Sequence, residues 1–137
     1  MKASTLSFRA AVVFIVAGMI WGIFMAISDD YSAMPAHAHL NLLGWVSLFL
    51  FGIYYRLHPW LEGAKSASFQ VWAWIIGTII LVIGVAMVQT GHSVGTGHLI
   101  AAVGSLIALL DMLLFGWLVF RGDRTDASFR SEASPAR

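Results

Sequence analysis

The sequence contains no cysteine, and charged residues make up only 11% of its 137 positions. The first absence excludes disulfides, thiolate metal ligands, iron–sulfur clusters and covalent c-type heme attachment by residue type. The second leaves too little polar side chain to cover a soluble globule when 59% of residues are hydrophobic, so the bilayer is the solvent this composition requires. A net charge of +1 offers no patch for nucleic acid, and the basic residues read instead as topology determinants.

What is present is four apolar segments, running approximately Phe8 to Ile27, His39 to Leu57, Val71 to Val88 and Leu99 to Phe120. Each is near the ~20 residues that span about 30 Å of hydrocarbon as a helix. Open β structure is excluded there because every main-chain polar group needs an internal partner. The connections contain Asp29-Asp30, Pro35, Pro59 and the stretch Gly91 to Gly97, all stop and turn signals. The expected fold is therefore all-α, an integral membrane up-down four-helix bundle over residues 1–121. The tail 122–137, rich in Ser, Ala, Arg and acid, is expected to be disordered in the cytoplasm.

All eight Lys and Arg lie on one side of this pattern: Lys2, Arg9, Arg56, Lys65, Arg121, Arg124, Arg130 and Arg137. The positive-inside rule makes both termini cytoplasmic and sends His37, His39, His92 and His98 toward the outer face. The first segment ends in Ala26-Ile27-Ser28, a small-x-small pattern like a signal-peptidase site. Its apolar run exceeds a usual signal core, so it is expected to stay as a transmembrane helix. Gly18 and Gly22 share one face of it, as close helix packing requires.

The second segment carries the most specific pattern, His37-Ala38-His39-Leu40-Asn41-Leu42-Leu43-Gly44-Trp45, closing with Phe51-Gly52-Ile53-Tyr54-Tyr55-Arg56-Leu57-His58-Pro59. At about 100° per residue, His37, Asn41, Gly44, Leu48 and Tyr55 share one stripe, small and polar, suited to helix packing or hydrogen bonding. His39 shares another with Leu43, Val46, Leu50 and Ile53. A flat porphyrin needs an imidazole at one edge of an apolar surface, and the His39 stripe supplies that.

This segment resembles the second transmembrane helix of the catalytic subunit of nitric oxide reductases and their heme-copper oxidase relatives. In that helix a His followed by Asn-Leu-Leu begins the segment at the outer face, and a Gly, a Tyr-Tyr pair and a Pro close it. Here these are His39, Asn41-Leu42-Leu43, Gly52, Tyr54-Tyr55 and Pro59. The chain looks like one of the small bacterial membrane proteins loosely labelled as oxidase-subunit-I-like. The resemblance, confined to His39 through Pro59, implies His39 as an axial ligand of a low-spin heme b, with Asn41 in the same motif. It also implies the bacterial inner membrane, and the expected partners beyond the lipid bilayer are a second copy or a respiratory complex. A full oxidase or reductase core has more helices and further His ligands for a high-spin heme and a second metal. Reduction of oxygen or nitric oxide at a binuclear centre is not expected of this chain alone, which leaves electron transfer or heme and gas sensing.

A six-coordinate heme needs a second axial ligand on a neighbouring helix. His98 begins the fourth segment much as His39 begins the second, so His39 and His98 are the expected iron ligands. His92, among glycines, is the looser candidate. The alternative is a heme-free structural protein, or an oxidase assembly partner, whose outer histidines handle copper. His37 and His39 could chelate one ion only if the helix starts after His37, which Pro35 permits. Asp111 is the only acid inside a segment, close to a stripe of Gly97, Ala101, Gly104 and Ala108. It is expected to be protonated and hydrogen-bonded across a packed interface, with proton uptake as the functional alternative.

Overall fold

Apolar runs of this length have one backbone solution in hydrocarbon, the helix that satisfies its own N–H and C=O groups. A computed structural model describes the backbone of residues 1–133 and the side chains of residues 1–121. Within that range every regular element is helical. The elements are α1 (Ala3–Ser28), α2 (Met34–Leu57), the single turn α3 (Pro59–Glu62), α4 (Lys65–Gln89) and α5 (Val94–Ala133). All but α3 are long and apolar enough to cross a membrane, so the chain is a multi-pass membrane protein built as an all-α bundle.

Each long helix starts before its apolar run does, at Ala3, Met34, Lys65 and Val94. Hydrophobicity marks the hydrocarbon boundary, whereas the hydrogen-bond ladder continues outward until a residue leaves helical φ and ψ. Asp29 (φ 51°) ends α1 in the left-handed region, and Asp30 then accepts the Ser32 N–H at 2.9 Å. That bond holds the Asp30 carboxyl below its ordinary range. Gly91 (φ 73°) and Ser93 (φ 53°) make the α4–α5 turn. The stretch 122–137, expected as a disordered tail, falls partly on α5, helical to Ala133, and partly outside the described residues.

The helices associate through two glycine seams. Between α4 and α5, a Cβ on Gly84 would fall on the main chain of Ala101, and one on Gly104 on that of Leu81. In lipid no hydrophobic force favours one helix neighbour over another, so van der Waals contact at short backbone separation does the work. Between α1 and α2, Phe14 covers Gly44, Phe8 covers Gly52, Asn41 covers Gly18 and His37 lies against Gly22. The helix α4 is central, touching α1, α2 and α5. At the end carrying the N-terminus, Phe115 of α5 reaches Phe51 and Tyr55 of α2, with ring centroids 4.4 and 6.0 Å apart.

That same end is fastened by Glu62, which is buried although charged. The Ser4 hydroxyl donates to its carboxylate, and Lys2 and Arg56 approach at 3.6 and 3.7 Å. The Ser4 bond first, and then the two cations, hold the Glu62 carboxyl below the ordinary range against the opposing effect of burial. The depressed folded-state value means this fastening is present at neutral pH and is lost as pH falls below the carboxylate range.

The seams make a paired test. Gly84→Ala puts a methyl on the Ala101 main chain, an overpacking expected to cost about 1–3 kcal/mol. Gly116→Ala meets nothing within 4 Å and should be neutral or stabilising by up to ~1 kcal/mol through helix propensity. Thermal unfolding in one detergent measures both, and equal effects would contradict the close α4–α5 approach.

Candidate functional site

The first turns of α2 set the histidine end. Pro35 occupies the opening turn, where its missing N–H costs nothing, and the helix begins at Met34. His37 is thus already inside the helix. His37 and His39 point about 160° apart on it and share no ion.

The two imidazoles differ in what they have left to offer. His39 Nδ1 lies 2.7 Å from the Pro35 carbonyl oxygen. A carbonyl only accepts, so Nδ1 carries the proton and Nε2 keeps its lone pair. His37 Nε2 instead takes a hydrogen from Asn41 Nδ2 at 3.0 Å, which commits that lone pair, and its Nδ1 is buried without a partner. Asn41 therefore works with His37 against α1 rather than with His39. His58, at the opposite end, also donates through Nδ1, to Tyr54 O at 2.7 Å, but its ring is covered by Tyr54, stacked at 4.1 Å.

Directly after His39 the ladder widens to i→i+5 bonding over Leu40–Ser47. Such π stretches are rare and frequent at functional sites. Within it the Trp74 indole N–H of α4 bonds the Leu43 carbonyl at 2.9 Å, a side-chain donor entering the ladder as opened turns allow. The π stretch turns less per residue than an α-helix, so the stripe running from His39 through Leu43 is not one straight line. Leu43 is drawn inward, while Val46, Leu50 and Ile53 stay exposed. The His37 stripe meets α1 over Asn41 and Gly44, and farther along it Leu48 and Tyr55 are fully buried.

His92 and His98 are both exposed, on the α4–α5 turn and in the first turns of α5. No hydrogen bond or ring contact joins His98 to His39, and among the described residues no three His, Asp or Glu side chains gather as a metal-ligand group.

Deeper in the bundle lies a second polar constellation. Tyr55 of α2 donates its hydroxyl to Gln70 Oε1 of α4 at 2.8 Å. Gln70 Nε2 in turn donates to Asp111 Oδ2 of α5 at 2.6 Å. Tyr55 and Gln70 are fully buried and Asp111 is 4% exposed. Three helices are thus joined by two hydrogen bonds running in one direction, toward the carboxyl. Asp111 Oδ1 has no partner, and among the described residues no cation pairs with it. Sequence reading missed Gln70 because it flanks the apolar run beginning at Val71, where an amide looks interfacial. Its signal is an uncharged donor–acceptor on the helix that follows a buried tyrosine.

Compared with models of protein families, with curated proteins and with solved structures, the chain matches none.

The directed chain fixes an order of mutational effects. Asp111→Asn keeps an oxygen for Gln70 Nε2 and should leave thermal stability nearly unchanged. Tyr55→Phe removes one donor and should cost about 0.6–1.7 kcal/mol, the span measured for hydrogen bonds between membrane helices. Gln70→Leu strands both neighbours and should cost more than either, and Asp111→Leu more than Asp111→Asn. Unfolding midpoints of the four variants check this, and an Asn variant as damaged as the Leu variant would refute the acceptor role of Asp111.

Proposed function

We propose that this protein binds heme b in the membrane, with His39 as an axial ligand, and serves electron transfer or the sensing of heme or gas. The observation that carries the reading is the Nδ1 bond of His39 to the Pro35 carbonyl. Ligating histidines characteristically donate their other ring N–H to a carbonyl or carboxylate, which fixes the tautomer and raises the basicity of the ligating nitrogen.

Two further features fit. The half-exposed His39 ring lies near the exposed apolar side chains Val46, Leu50 and Ile53, a surface a porphyrin face can cover. The π stretch begins at the next residue. His98, with His92 as the looser alternative, is the proposed second ligand, from the same chain or from a second copy. Heme, when bound, supplies an iron centre that exchanges one electron. The chain's own part is to hold Nε2 unprotonated, to keep the ring from turning and to present apolar surface on one side. His37 and Asn41 take no share in ligation on this reading, because they are committed to each other and to α1. The bacterial inner membrane, with both termini cytoplasmic, is the setting we propose from the distribution of Lys and Arg.

Protein purified in detergent after expression with adequate heme supply should show a Soret band and sharp reduced α and β bands of six-coordinate heme b. His39→Ala should abolish them, and His98→Ala should abolish them or convert the spectrum to a five-coordinate form. His37→Ala should retain them. A colourless preparation that binds copper stoichiometrically would replace heme by the copper-handling reading.

A further inference from the structure

The groove beside Asp111 has no part in the heme reading. It opens between α4 and α5, encloses about 220 Å³, and is lined by Phe69, Ala73, Ile107, Leu110, Asp111 and Leu114. Five of the six are apolar, and Phe69 and Leu110 are 65% and 58% exposed, so the mouth faces the bilayer. The α4–α5 seam is tight at Gly77, where a Cβ would press on Ile107, and it parts around Asp111, leaving one carboxyl at the base of an apolar recess.

We propose that this groove binds the head of an amphiphilic primary amine, its ammonium paired with Asp111 and its chain lying in the lipid. Asp111 lines the recess, is almost wholly buried, and has Oδ1 without a partner. Oδ2 is already held by Gln70, so the carboxyl is oriented and has one oxygen left to accept. A single acceptor with no other oxygen in the lining cannot satisfy a hard metal ion, which takes six or more oxygen ligands. An ammonium needs only one strong acceptor and neutralises the charge that depth makes costly. The volume lies below the roughly 300–1,000 Å³ of sites that enclose whole drug-sized ligands. It suits a head group and its first methylenes, with the remaining chain outside among lipid tails.

The test measures equilibrium binding of radiolabelled dodecylamine and dodecanol to the full chain in phosphatidylcholine nanodiscs, each corrected for uptake by empty nanodiscs. Wild type should take the amine about tenfold or more tightly than the alcohol, the scale of a hydrogen bond to a charged group. Asp111→Asn should abolish that preference. Ala73→Leu leaves the carboxyl and its Gln70 bond in place but fills the recess, and should weaken amine binding by a similar factor. Should the Asn variant fail to fold, Ala73→Leu decides alone. Equal uptake of amine and alcohol by wild type, or amine binding untouched by either substitution, overturns the proposal and leaves Asp111 as a packing group.

Discussion

Hydrocarbon cannot hydrogen-bond, so a polar group in the middle of this bundle must be matched by another helix, and the chain from Tyr55 through Gln70 to Asp111 does the matching. It fixes which faces of α2, α4 and α5 look at one another. A rotation of any of the three would strand an amide, a phenol or a carboxyl in a medium with nothing to replace the lost bond. Apolar packing alone specifies helix rotation weakly in lipid, because a leucine is as well solvated by acyl chains as by protein. The polar chain gives the bundle one arrangement, and the glycine seams bring the backbones close enough for it to close.

The two ends of α2 are used differently as a result. Near Tyr55, side-chain groups are paired across helices. Near His39 the helix spends its side chains unevenly. His37 and Asn41 satisfy each other and seat against Gly18 and Gly22, while His39 satisfies only its Nδ1, locally, and leaves Nε2 uncommitted. The π stretch separates these roles, since widening the ladder after His39 lets Leu43 turn toward Trp74 without dragging the histidines with it. An imidazole held in one tautomer beside an apolar surface is the reason for favouring heme over a hydrated ion there.

Much of this was legible in the sequence. Composition and run length gave four membrane helices, because the bilayer admits few alternatives and its thickness sets their length. The packing face of α1 was legible from Gly18 and Gly22, and the role of the His37 stripe from its small and polar residues, since helical periodicity survives where the helix is regular. Helix ends were misplaced by more than a turn, because hydrophobicity tracks solvent rather than backbone bonding. The π stretch was invisible, since it depends on a donor, Trp74, that comes from another helix. Gln70 was overlooked for the same reason: its importance lies in the two residues it joins, Tyr55 and Asp111, which lie 15 and 41 positions away.

The central proposal is that the free Nε2 of His39 binds iron, and replacing the ring by the free molecule tests it most directly. His39→Gly removes the imidazole and leaves space in which dissolved imidazole can take its place. The purified variant should lack the six-coordinate heme spectrum, and added imidazole at millimolar concentration should restore it in the same folded bundle. A His39→Gly protein that retains the wild-type spectrum without imidazole would contradict ligation by His39.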